Sequence, residues 1–90
     1  MVFRIEDQIH ADTWGDFATL EEAMKELEWR SNIPWDQEPN LAPCADWRTC
    51  GRMYVVIEMD DSSGSWRELS CRYVFEISAD GIKTDGTPLR

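Results

Sequence analysis

The strongest constraint in the sequence is a ten-residue run in which Leu69, Cys71, Tyr73, Phe75 and Ile77 alternate with Ser70, Arg72, Val74, Glu76 and Ser78. Side chains that recur every second residue share one face of a β-strand. The run therefore predicts a strand with one face toward a core and the other largely wet. Upstream, Met53 to Met59 is apolar at nearly every position, and Asp60-Asp61-Ser62-Ser63-Gly64-Ser65 between the two runs is turn chemistry. A β-hairpin follows from this order. Asp80-Gly81 marks a second tight turn, after which Ile82 to Thr84 is long enough for a short last strand before a polar tail.

The N-terminal half supplies a strand and a helix. Phe3 and Ile5 alternate with Arg4 and Glu6, a second period-two pattern. Residues 7 to 18 read as a polar, turn-rich connection anchored by Trp14 and Phe17, because Asp12, Gly15 and Asp16 break any period. Thr19-Leu20-Glu21-Glu22 has the form of a capping box, with the Thr19 hydroxyl accepting from the Glu22 N–H and the Glu22 carboxylate reaching back to the Thr19 N–H. Leu20, Ala23, Met24 and Leu27 then fall at helical spacing. A helix is predicted over 20–31, ending before Pro34, which drives its predecessor out of the α region. Residues 32 to 52 hold Pro34, Pro39, Pro43, Trp35 and Trp47 with no period. A loop this long is usually functional or tied down by its own side chains.

The fold class implied is α+β: one helix packed on a three- to four-stranded, mostly antiparallel sheet, in the order β-α-(long loop)-β-β(-β). Ninety residues suit one core and not two, so 1–90 is read as a single domain. The chain opens on a strand-like run instead of a basic and apolar leader, and no apolar run reaches the roughly 20 residues that span a bilayer. A cytoplasmic location with reduced cysteines is expected.

Charge narrows the partners. Nine basic residues against eighteen acidic ones leave −9, and residues 1 to 46 carry eleven acids against Arg4, Lys25 and Arg30. Such a surface repels phosphate backbones and anionic membranes, which argues against direct nucleic-acid or lipid binding and for a basic protein partner. Edge-strand pairing into a homodimer is open to so small a sheet, although the net charge opposes it.

Motifs for chemistry are sparse. Cys44, Cys50, Cys71 and His10 could make a Cys3His set, but five residues separate Cys44 from Cys50, and zinc sites favour close pairs. Asp60 to Ser65 lacks the sixth-position glycine and distal glutamate of a calcium loop. A Cys50–His10 nucleophile pair comes with no glycine elbow, oxyanion motif or companion acid. Gly64, Gly81 and Gly86 sit in separate turns, so no phosphate-cradling loop exists. Neither a metal, a cofactor nor a catalytic residue is assigned.

The reading that remains is a small acidic, non-catalytic interaction or regulatory protein. Its partner-binding residues are Glu21, Glu22, Glu26, Glu28 and Trp29 on the helix, with Trp35 and Trp47 in the loop, because aromatic patches with an acidic rim suit protein recognition. The alternative is a small-molecule binder or modest enzyme using the 32–52 loop as a lid, with Trp35, Trp47, Cys50 and His10 near the pocket.

Overall fold

A computed structural model describes residues 1–42, 51–62, 64, 66–84 and 87–88. Its elements are β1 (Val2–Asp7), β2 (Asp12–Phe17), α1 (Leu20–Ser31), β3 (Arg52–Asp60), β4 (Arg67–Ser78), β5 (Gly81–Thr84) and β6 (Thr87–Pro88). The strands form one antiparallel sheet in the order β2-β1-β3-β4-β5-β6, with α1 packed on it. The α+β class and the single predicted helix are observed, and the sheet is wider than expected.

The helix starts and stops at the residues its caps dictate. Thr19 is extended, and its hydroxyl accepts from the Glu22 N–H at 3.1 Å. The return bond differs from the capping-box expectation: the Glu22 carboxylate accepts from Ala18 N at 3.3 Å, one residue earlier. Ala23, Leu27 and Arg30 form the buried stripe, against Ile5, Tyr54, Val56, Phe75 and Ile77 of the sheet.

Two expectations are corrected. The connection over 7–18 contains an edge strand, β2, paired among the described residues with β1 alone. Its period is broken because Gly15 (φ 134°) and Asp16 together lie opposite Arg4 in a bulge, after which Trp14 and Phe17 both pack on the core. In β4 the alternation does not keep one face throughout. Tyr54 pairs with Phe75 and Val55 with Tyr73, so Val74 is an extra residue that reverses the phase. Phe75 and Ile77 therefore face α1, whereas Cys71 and Tyr73 face the other way, and Cys71 is exposed instead of in the core.

That second face is closed by its own side chains. Val55 and Ile57 are buried between Glu6 and Tyr73 and between Arg4 and Cys71. The Arg4 guanidinium lies 4.9 Å from the Trp66 ring and pairs with Asp16 at 3.0 Å. Long amphipathic side chains thus shield a thin apolar layer without a second helix.

Gly51, just before β3, is the tightest backbone approach, since a Cβ there would come 2.3 Å from the Ile77 carbonyl oxygen. Gly51→Ala is expected to lower stability by about 1–3 kcal/mol, through strain at the β3–β4 pairing. Urea denaturation with unchanged m-value checks this, and a loss below about 0.5 kcal/mol would contradict it.

Candidate functional site

Two features stand out on the helix side of the sheet: a buried ionic cluster and an open groove. The cluster is built on Asp7, the last residue of β1, which is wholly buried. One carboxylate oxygen accepts from the Ile9 and Met53 backbone N–H groups, both at 3.0 Å. The other meets His10 Nδ1 at 2.6 Å and Arg52 Nη1 at 3.0 Å. Arg52 Nη1 also reaches Asp12 at 2.8 Å, and its Nη2 donates to the Leu41 carbonyl at 2.7 Å.

Trp14 joins this cluster to the helix. Its ring lies 5.1 Å from the Arg52 guanidinium and 4.4 Å from that of Arg30, a residue of α1. Arg30 Nε is held by Glu26 at 2.7 Å. Tyr54 stands beside Arg30 and donates to Asn40 Oδ1 at 2.9 Å, while Asn40 Nδ2 donates to the carbonyls of Arg30 and Ile33, each at 2.8 Å. Burial pushes the Tyr54 phenol above its usual 10.0, with the adjacent Arg30 opposing the rise. The whole constellation fastens β1, the β1–β2 turn, the start of β3 and residues 32–41 to the helix. Both Asp7 oxygens are saturated, so its chemistry is positional.

The groove lies between α1 and the β4–β5 hairpin. One part, about 400 Å³, has Met24, Leu27 and Glu28 on one wall and Val74, Phe75 and Thr84 on the other. A second part, about 300 Å³, runs past Ile33, Trp35, Ile77 and Ile82, and Ser31 borders both. Its lining is mainly apolar, with Leu27, Phe75 and Ile77 buried in the core beneath it and Met24, Val74 and Ile82 half-buried at its walls.

The residues singled out from sequence divide between these places. Glu21, Glu28 and Trp35 line the groove, and Trp35 also packs on the core. Glu21 pairs with Lys25 at 3.4 Å. Glu22 and Glu26 follow the β2 side of the helix, in line with Arg30, and both carboxylates are engaged locally. Trp29 is 56% exposed on the outer face of α1. Trp47, Cys44 and Cys50 lie outside the described residues. His10 belongs to the Asp7 cluster and does not line the groove. No group of three metal-ligating side chains occurs among the described residues.

Sequence reasoning missed Asp7, Arg52, Asn40 and the groove floor of Val74, Ile77 and Ile82. A trace of the first pair was visible: a carboxylate closes one strand run and a lone arginine opens the other. Comparison with protein-family models, curated proteins and solved structures gives no match.

Removing one partner of a buried ion pair leaves the other charge uncompensated, at about 3–5 kcal/mol. Asp7→Asn and Arg52→Met are each expected to destabilise on that scale, and the double variant by clearly less than their sum. Denaturant titration of the four-protein cycle measures this, and additive losses would remove the coupling.

Proposed function

We propose that the protein is a non-catalytic interaction module that captures a basic partner protein on the acidic, groove-side wall of α1. The observation that carries this reading is the groove itself, lined by half-buried Met24, Val74 and Ile82 over the buried Leu27, Phe75 and Ile77, with Glu21, Lys25 and Glu28 on its helical wall and Trp35 at one end. Apolar recognition surfaces bordered by charge are the usual anatomy of protein-binding sites. A net charge of −9 adds long-range attraction for a cation and repulsion of nucleic acid and anionic lipid. No helix among the described residues is long and apolar enough to cross a membrane, and a cytoplasmic setting accords with this role.

Trp29, Glu22, Glu26 and Trp47 belong to the same proposal as a secondary contact area. Of these, Trp29 is the most available, being exposed on the outer face of the helix. Trp47 enters on sequence grounds alone.

A second reading is favoured by one observation: the two parts of the groove, about 400 and 300 Å³, fall in the size range of small-molecule sites. Here Trp35 and the 32–52 segment would close over an apolar ligand. Salt separates the two readings, because attraction between exposed charges is screened while apolar burial is not.

Affinity for a basic partner is expected to fall about tenfold or more when salt rises from about 0.05 M to about 0.3 M. Glu21→Lys combined with Glu28→Lys should produce a loss of similar size, mostly through slower association. Surface plasmon resonance with a partner retained at low salt reads both. Binding indifferent to salt and to charge reversal would reject the interaction reading and favour the ligand.

A further inference from the structure

β4 is longer than the strand beside it. It runs over Arg67–Ser78, but β5 pairs only with Glu76, Ile77 and Ser78, so among the described residues 67–72 have β3 on one side and no strand on the other. Every residue of that stretch is exposed. Its backbone is aimed outward at Cys71. Gln8 N donates to Met53 O, so alternate residues of β3, Val55 and Ile57 included, turn their backbone groups to β1, and Val56 and Glu58 turn theirs to β4. Arg72 and Ser70, opposite Val56 and Glu58, answer toward β3, which leaves the Cys71 N–H and C=O pointing off the sheet. The β2 edge is blunted by the bulge at Gly15 and Asp16 and by the charges of Asp12 and Asp16, whereas residues 67–72 hold neither proline nor lysine.

We propose that residues 69–73 of this edge pair with the same residues of a second copy of the chain, antiparallel about a two-fold axis through Cys71, to make one sheet running through both molecules. The side chains set the register. Centred on Cys71, it places Arg72 opposite the second copy's Ser70, with the second copy's Glu58 one strand further on the same face. Within one copy, Ser70 Oγ donates to the Glu58 carboxylate at 3.2 Å, while Arg72 has no acidic partner and Glu58 no cationic one among the described residues. Across the axis the Arg72 guanidinium passes over the small Ser70 to Glu58, two strand spacings or about 10 Å between backbones. Symmetry makes this ion pair twice. Leu69, 43% exposed, falls opposite Tyr73 of the other copy. A register centred on Ser70 fails: the β3–β4 pairing slips between Glu58 and Met59, so Glu68 lies on the Met59 face and could not meet Arg72. The edge itself carries Arg67, Glu68 and Arg72, so the net −9 opposes pairing only at longer range, where ordinary salt screens it. The contact lies outside the groove and stands apart from the basic-partner reading.

Sedimentation velocity at about 0.15 M salt, over about 1 to about 100 μM protein, is expected to show a reversible dimer. Arg72→Glu sets like charges against each other and should weaken it at least about tenfold, and Arg72→Glu/Glu58→Arg, which exchanges the two charges, should restore it. The two-fold also puts the two Cys71 Cα atoms about 5.5 Å apart, within disulfide range. Brief oxidation of the wild-type dimer with copper phenanthroline should therefore give a covalent dimer whose non-reducing peptide map contains Cys71 joined to Cys71. This cross-link is read on the unaltered chain, so it decides even where circular dichroism shows a variant misfolded. A monomer throughout the concentration range would overturn the inference and leave the basic-partner reading standing. A dimer that survives Arg72→Glu, or whose cross-links omit Cys71, would place the contact elsewhere and equally overturn it.

Discussion

The Asp7 carboxylate is the point on which the rest of the structure hangs. With no exposed surface, it would carry a desolvation penalty of several kcal/mol were it unpaired. It accepts instead from two backbone N–H groups, from His10 and from Arg52, so that one side chain joins the end of β1, the following turn and the start of β3. Arg52 carries the constraint onward to Asp12 and Leu41, and Trp14 carries it to Arg30 on the helix. Two guanidiniums against one indole, both nearly desolvated, give a cation–π contribution at the strong end of its range. Desolvating two guanidiniums and a carboxylate offsets much of their mutual attraction, which places the cluster's value in fixing one arrangement of elements more than in net stability.

That arrangement pins the helix over one half of the sheet. Asn40, donating to the carbonyls of Arg30 and Ile33 and accepting from Tyr54, holds the segment after α1 against the same half. Residues 33–35 consequently wall the groove at one end, where Trp35 and Ile82 pack over the buried Phe75 and Ile77. A preformed concavity of this kind spares a partner part of the ordering cost of binding. On the proposed reading, the acidic residues of α1 would both keep a surface with exposed apolar side chains dispersed and select a cationic partner.

How much of this was legible in the sequence follows from whether the signal was local. The helix over 20–31 was readable in its bounds, because Thr19, Glu22 and the Leu20–Leu27 spacing act within a few residues of one another, although the Glu22 carboxylate returns to Ala18 N and Arg30 joins the buried stripe. The β3–β4 hairpin was readable from composition and turn chemistry. The edge strand β2 was not: Gly15 and Asp16 bulge out against β1, and a strand with one neighbour need not alternate cleanly. The phase change at Val74 was equally hidden, since a bulge is a property of pairing with β3 and leaves the sequence alternation intact. Of the candidate site, the acidic helix face and Trp35 were anticipated. The groove was not, because it depends on how α1 and the segment after it meet the β4–β5 hairpin, a relation among residues as distant as Leu27, Phe75 and Ile82.

The central claim is the proposal that the groove between α1 and the β4–β5 hairpin binds the partner, and backbone hydrogen exchange with and without a bound basic partner tests it most directly. The account predicts added protection confined to Met24–Trp35 on one wall and Val74–Thr84 on the other, with the already protected amides of β1 and β3 unchanged. Protection gained instead along β2, or on the Arg4–Trp66 face, would contradict it.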